Sequence, residues 1–254
     1  DLYQDMIELQ NITQVFNKGQ SNEVRAINGL NLEIPESEFV VLIGANGSGK
    51  STLLNLIAGT EFPTQGKIII SGIDLTHAPN FKRSHYVARV FLNPTDGTAA
   101  DLTIVENFRL AALRNQNISL KIGLNQKFEQ AVKDKVATLG LGLENKIHQP
   151  IGTLSGGQRQ ALCLLMAVWS DLKVLLLDEP TAALDPKSAE IVIQTANQLI
   201  RDYKITTVMV THQLKEAIQY GDRIIQMQEG KIAHDILKVK NPSIAMTDLY
   251  ELFA

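Results

Sequence analysis

The chain is predicted to fold as an α/β protein, built on a mostly parallel sheet with crossover helices. Three observations carry that prediction. The apolar run Phe39–Ile43 passes through a glycine-rich loop directly into a helical segment, Ser51–Ala58. Beyond Ser155 the chain alternates helix and buried strand, with Lys173–Leu177 and Thr206–Val210 flanking a helix from Pro186 to about Asp202. Between these parts, from about Leu102 to Gly140, charged residues are spaced among apolar ones in a helical pattern. That stretch reads as a helical subdomain inserted into the core.

The remaining elements follow in chain order. Met6–Leu9 and Leu30–Ile34 are short β-type runs ahead of Phe39, and Lys67–Ile70 and Tyr86–Phe91 are strand-like after Ala58. No internal repeat, low-complexity tract or Pro/Gly linker cuts the chain, so one domain over residues 1–254 is expected. A chain of 254 residues can bury a substantial core, and 44% hydrophobic with 20% charged residues is ordinary for a globular protein.

The loop after Phe39–Ile43 reads Gly44-Ala-Asn-Gly-Ser-Gly-Lys-Ser51, which fits G-x-x-x-x-G-K-[ST] in the strand–loop–helix context that the pattern needs. Glycines 44, 47 and 49 let the backbone turn tightly and present N–H groups to phosphate oxygens, aided by the helix N-terminus. Lys50 supplies a point charge to the β- and γ-phosphates, and the Ser51 hydroxyl is the natural Mg²⁺ ligand. A glycine-rich turn with a chance lysine would not carry the whole pattern in this context. The loop therefore indicates a nucleoside triphosphate, which many unrelated folds bind.

Val174–Leu177 is an apolar run that ends in two carboxylates, Asp178 and Glu179. A buried strand delivers Asp178 to the outer shell of the metal and places Glu179 to polarise the attacking water. A strand followed by solvated acids is common, but it is improbable beside a complete phosphate loop. Leu154-Ser-Gly-Gly-Gln158 is a serine and two glycines at a helix start, a second anion-presenting N-terminus. One triphosphate needs one cradle per chain, so a second implies a nucleotide held elsewhere.

On these residues the chain resembles the ABC ATPases, whose signature is this pentapeptide, and the resemblance covers nearly the whole chain with the motifs in family order. It implies a P-loop (RecA-like) core at 1–91 and 159–254, with an N-terminal antiparallel β subdomain. It also implies an inserted helical subdomain, signature included, at 92–158. Two subunits are expected to pack head to tail around ATP and Mg²⁺. Gly44, Asn46, Gly47, Ser48, Gly49, Lys50, Ser51 and Thr52 would hold the nucleotide, and Ser155, Gly156, Gly157 and Gln158 would close over it from the other subunit. Phe16 sits where the family stacks an aromatic on adenine, and Asp185, in Ala183-Leu-Asp185, resembles the loop linking the two sites. His212, after Thr206–Val210, matches the histidine that reaches the γ-phosphate. With Lys50 and Glu179 it completes the expected catalytic set, and Ser51 and Asp178 are the expected metal ligands. His77, His85, His148 and His234 read as surface or structural residues.

One position departs from the family pattern. Where a glutamine usually precedes the helical subdomain, the chain reads Val90-Phe-Leu-Asn-Pro94, with Leu92 in its place. Leucine offers neither donor nor acceptor to the metal, the water or the membrane partner. Two readings stay open: Asn93 turns inward as a partial substitute, or the contact is absent and turnover rests on Glu179 and His212. The second is preferred. Slow basal hydrolysis is expected, and Leu92→Gln is expected to change the rate of the assembled transporter.

Several stretches resemble one subgroup of bacterial importer ATPases: Asp96-Gly-Thr98, Gly156–Ala167, Ala182–Lys187, Thr206–His212 and Tyr220–Arg223. That likeness implies a permease partner, a second copy of the chain, and a lipoprotein that binds a small solute such as an amino acid. A groove for the permease is expected near Asp96–Glu106. A net charge of −3 argues against nucleic acid as a partner. The longest apolar run, Ala161–Trp169, is about half of a membrane-spanning helix. A place on the cytoplasmic face of the membrane is therefore expected through a partner. The single cysteine, Cys163, excludes an internal disulfide and reads as a packed core thiol. Leu249–Phe253 reads as a short closing amphipathic helix, with no appended regulatory domain. The alternatives are a weakly hydrolysing regulatory subunit, prompted by Leu92, and a soluble non-transport member of the same family.

Overall fold

Alternating burial along the apolar runs sorts the strands between two cores. The computed structural model describes residues 5–91, 93, 95–115, 125–169 and 171–238. Strands β1 (Asp5–Phe16), β2 (Val24–Pro35), β4 (Gln65–Ile70) and β5 (Ile73–Asp74) form an antiparallel sheet in the order β2-β1-β4-β5. The second sheet holds β3 (Phe39–Ile43), β6 (Val87–Val90), β7 (Val174–Asp178), β8 (Thr206–Val210), β9 (Arg223–Gln228) and β10 (Lys231–Leu237). Its order is β10-β9-β3-β8-β7-β6, parallel from β9 to β6 with β10 antiparallel at the edge.

The helices are α1 (Lys50–Ala58), α2 (Asn80–Arg83), α3 (Ile104–Ala112), α4 (Gln126–Ala137), α5 (Gly156–Ala167), α6 (Pro186–Tyr203) and α7 (Leu214–Tyr220). In β3, Phe39, Val41 and Ile43 enter one core, with Phe108 of α3, Leu165 of α5 and Val192 of α6. Val40 and Leu42 enter the other, with Leu53 and Leu56 of α1 and with Ile7 and Ile68 of the antiparallel sheet. Leu175 and Leu177 against Val174 and Leu176 divide β7 in the same way. A period of two on a strand covered on both faces gives a continuous apolar run and two separate cores.

Local chemistry sets the helix ends. Thr103 and Ser155 open α3 and α5 with capping boxes, closed by Glu106 and Gln158 respectively. Asp185 caps α6, whose first residue is Pro186. Gly59, at φ 78, closes α1. Around that end Arg83, wholly buried, donates to the carbonyls of Leu56, Ile57, Leu75 and Thr76. A cation on the last carbonyls of a helix is favourably placed. Burial pulls the Arg83 pKa down to about 10.

Three strands went unread in the sequence: β5, β9 and β10. β5 has two residues. β9 and β10 break their apolar pattern with Gln226, His234 and Asp235, and gain their ladder only from tertiary neighbours such as Val40↔Arg223. β1 outruns Met6–Leu9 because irregularities near Asn11 (φ 49) interrupt the alternation without ending the strand. Residues 116–124 of the helical stretch, Leu92, and the helix expected at Leu249–Phe253 lie outside the described residues. Among the described residues no helix is long and apolar enough to cross a membrane. Cys163 is buried, and desolvation pushes its thiol up to about 12.

Candidate active site

The carboxyl ends of β3, β8 and β7 are neighbours, and the loops leaving them carry most of the residues singled out by their chemistry. The loop after β3 runs between two backbones. A Cβ on Gly44 (φ 145) would lie 2.3 Å from the Met227 carbonyl of β9, and one on Gly49 (φ 104) would lie 2.5 Å from the Ala26 carbonyl of β2. Only glycine fits either position. Gly47 (φ 81) has open space around it and needs glycine for its dihedral alone. Asn46 and Gly47 are exposed, whereas Ser48 is buried with no hydrogen-bond partner for its hydroxyl.

Lys50, 5% exposed, donates from Nζ to the carbonyls of Gly44 (2.8 Å) and Ala45 (3.0 Å), so its ammonium lies under the loop. Desolvation lowers its pKa, and the nearby Glu179 and Asp178 carboxylates oppose that. Ser51 and Thr52 occupy the first turn of α1, with Ser51 exposed.

β7 ends at Asp178, whose carboxylate pairs with Arg89 of β6, and Arg89 also donates to Asn55 of α1 at 2.6 Å. Glu179 follows in the left-handed region at φ 48, with its N–H bonded to the Val210 carbonyl at 3.0 Å. A bulky residue held there stores strain of about 1–3 kcal/mol. The turn aims the carboxylate at the loop after β8, where Glu179 Oε1 lies 3.0 Å from His212 Nε2. Both side chains remain partly solvent-accessible. A cleft of about 620 Å³ lined by Gly44–Ser48, His212 and Gln226–Glu229 joins the histidine to the phosphate loop, and His234 lines it too.

Phe16, half-buried, is the last residue of β1 and pairs with Val24, two residues before the Ala26 carbonyl that abuts Gly49. This hairpin end therefore borders the phosphate loop. Ser155–Gln158 lies apart, at the start of α5. Ser155 Oγ accepts from Gln158 N at 3.3 Å, and Gln158 Oε1 accepts from Ser155 N at 3.2 Å. A Cβ on Gly157 would stand 2.6 Å from Ser188, and one on Gly156 3.2 Å from Leu184, so α5 begins against the start of α6. Asp185 is exposed there, and hydrogen bonds from Ser188 hold its carboxyl below the usual range. Among the described residues, the contacts that tie Glu179 and His212 to the phosphate loop do not extend to Ser155–Gln158.

Arg89 and a buried trio of Thr181, Thr211 and Glu216 also belong to the site, although their sequence context did not single them out. An arginine inside the apolar run Val87–Val90 was a readable signal. The threonines and Glu216 gave none, being unremarkable until folding brings them together.

The model of the ABC transporter family matches residues 27–182. The chain is 37% identical over 248 residues to the tyrosine transport ATP-binding protein of Clostridioides difficile (strain R20291), with 98% of each chain covered. It is 33% identical over 232 residues to the energy-coupling factor transporter ATP-binding protein EcfA2 of Clostridium perfringens (strain 13 / Type A), covering 90% of this chain and 79% of that one. Among solved structures, a dimeric ATP-binding cassette in a post-hydrolysis state with ADP and Pi superposes with a TM-score of 0.77. It shares 28% identity over 91% of this chain and 98% of its own. The described fold, with its antiparallel sheet beside a mostly parallel one, agrees with that likeness. The chain belongs to the ABC transporter family, as an ATP-binding subunit that hydrolyses ATP.

Proposed function

We propose that two copies of this chain pack head to tail, sandwich two ATP molecules, and drive a permease that imports a small solute. The separation of the two anion-presenting helix starts carries this reading. Lys50, at the start of α1, lies near its own chain's Glu179 and Asp178 carboxylates, while at the start of α5 Ser155 and Gly156 are exposed beside Leu184, where they would serve a neighbour's nucleotide. Gly44–Thr52 then holds the phosphates, Lys50 neutralises the β- and γ-oxygens, and Phe16 stacks on adenine. Glu179 takes the proton of the attacking water, while His212 donates to its carboxylate and faces the γ-phosphate.

Among the described residues no cluster of three or more His, Cys, Asp or Glu side chains could hold a metal by itself. The hydroxyl of Ser51 and the carboxylate of Asp178 suit Mg²⁺, which takes one or two protein oxygens and fills its shell with phosphate and water. Ser51 and Asp178 would supply those oxygens, and the ion would neutralise charge developing on the phosphates.

The name of the tyrosine transport relative supports an amino-acid-type substrate. The expected partners are a permease seated near Asp96–Glu106 and, through it, a solute-binding lipoprotein, with the ATPase on the cytoplasmic face of the membrane and no nucleic acid involved. We retain the division into a core (1–91 and 159–254) and a helical subdomain (92–158), with α5 running across the later boundary.

Mixing two defective chains tests the sandwich. Lys50→Ala removes the phosphate-loop ammonium, and Gly156→Asp sets a negative charge where the second anion would sit. Each homodimer has two dead sites, but a head-to-tail heterodimer joins one intact loop to one intact signature. ATP hydrolysis should reappear on mixing, to about a quarter of the wild-type rate for random pairing of equal amounts. A mixture as inactive as its components would reject the trans arrangement.

A further inference from the structure

β7 and β8 lie side by side, and the two residues read above as acting on the attacking water stand on the separate loops that leave them. The last backbone bond between these strands is Glu179 N to Val210 O at 3.0 Å. Beyond it one buried carboxylate joins the loops. Glu216 of α7, 7% exposed, accepts from Thr181 Oγ1 at 2.9 Å and from Thr211 Oγ1 at 2.7 Å, and each threonine is 3% exposed. Thr181 is two residues after Glu179, and Thr211 immediately precedes His212. Thr211 Oγ1 also accepts from the N–H of Gln213 at 3.1 Å, which fixes the backbone on the far side of His212.

A buried carboxylate is costly unless its oxygens are satisfied, and here each oxygen takes a hydroxyl from a different loop. Core packing has no use for a charge at this point. An apolar side chain would fill the space, yet it would leave both hydroxyls without their acceptor and the two loops without a common anchor.

We propose that Glu216 is a positioning residue for hydrolysis: by binding Thr181 and Thr211 at once, it sets the 3.0 Å contact between Glu179 and His212. The proposal rests on the reading of those two residues as the groups that act on water. It gives the hydrolysis step a requirement that nucleotide binding does not share, because Gly44–Thr52 leaves a different strand.

The test uses the full chain, with kcat, the KM for ATP, and melting temperature recorded for Glu216→Ala, Glu216→Gln, Thr181→Val and Thr211→Val. Glu216→Ala should lower kcat by about 10- to 100-fold, the order expected when reacting groups drift by an ångström or less. Its KM should stay within about twofold. Glu216→Gln keeps an acceptor and the shape, so it should recover most of the rate. Thr181→Val should cost several-fold alone and nothing further in the Glu216→Ala background, the non-additivity of a shared network. A role in packing alone would instead lower the melting temperature, move KM and kcat together, and add in the double variant.

Glu179→Gln is the control that separates this proposal from the reading beneath it. If that variant hydrolyses ATP normally, the assignment of the catalytic groups fails. If it is dead while Glu216→Ala, folded and binding ATP, keeps its kcat, the positioning role alone is overturned. Should Glu216→Ala not fold, the Thr181→Val/Thr211→Val double variant decides, and an unchanged kcat there overturns the proposal.

Discussion

Glu179→Gln should bind ATP as the wild type does and hydrolyse it about 10²–10⁴-fold more slowly, the range for loss of a positioned general base. Glutamine keeps the length and planarity of the side chain and an oxygen that can accept from His212, so the 3.0 Å contact survives. It cannot accept the proton of the attacking water. Lys50, under the loop at Gly44 and Ala45, is untouched, and so is the binding of the phosphates. With cleavage blocked and the phosphate-bearing side intact, ATP should hold the two chains together. Size-exclusion chromatography should then show an ATP-dependent dimer that ADP does not support. Turnover within a few-fold of wild type would remove Glu179 from the chemistry.

The backbone at Glu179 sharpens the same prediction. At φ 48 the residue bears a conformation that glycine adopts freely. Glu179→Gly should therefore be inactive yet at least as resistant to heat, showing that the strained turn is kept to aim the carboxylate and not to hold the fold together.

Gly44→Ala should be the most damaging single-methyl change in the chain's nucleotide loop. The new Cβ would meet the Met227 carbonyl at 2.3 Å and Ser48 Oγ at 2.9 Å, at a φ of 145 that L-residues rarely adopt. The carbonyl belongs to β9, whose ladder with β3 pairs Ile43 with Gln226, so it cannot give way without unzipping two strands. Backbone strain of about 1–3 kcal/mol and overlap of about 1–3 kcal/mol add at one site. For a chain of this size each kcal/mol lowers the melting temperature by about 2–4 °C. Loss of ATP binding should accompany the drop. Gly47→Ala is the comparison. It meets nothing within 4 Å and bears only its φ of 81, so it should cost about 1–2 kcal/mol and keep the loop's outline. Equal melting temperatures for the two variants would contradict the close approach of β9.

Much of the site was legible because its chemistry is contiguous. Three glycines, a lysine and a serine between an apolar run and a helix form a complete cradle within eight residues, and no distant contact is needed to recognise it. The helix start at Ser155 was legible for the same reason, and there the serine satisfies its own first turn. The ion pair of Asp178 with Arg89 was not legible, since the partners are 89 residues apart and meet only because β6 lies beside β7. β9 and β10 hid because polar residues interrupt their alternation, with Gln226 half-buried and His234 and Asp235 of the edge strand exposed, a pattern that matches no single template.

By itself the sequence determined the α/β fold class, the phosphate loop, the paired acids after β7 and the second helix start at Ser155, because each is written in adjacent residues whose dihedrals and charges are local. Only the tertiary structure decided which strand stands next to which. That order brings Glu179 to His212, Arg89 to Asp178, and Thr181 and Thr211 to one buried carboxylate. Each of these contacts depends on burial and register across the sheet, and hydrophobic periodicity along the chain encodes a strand's faces but not its neighbours.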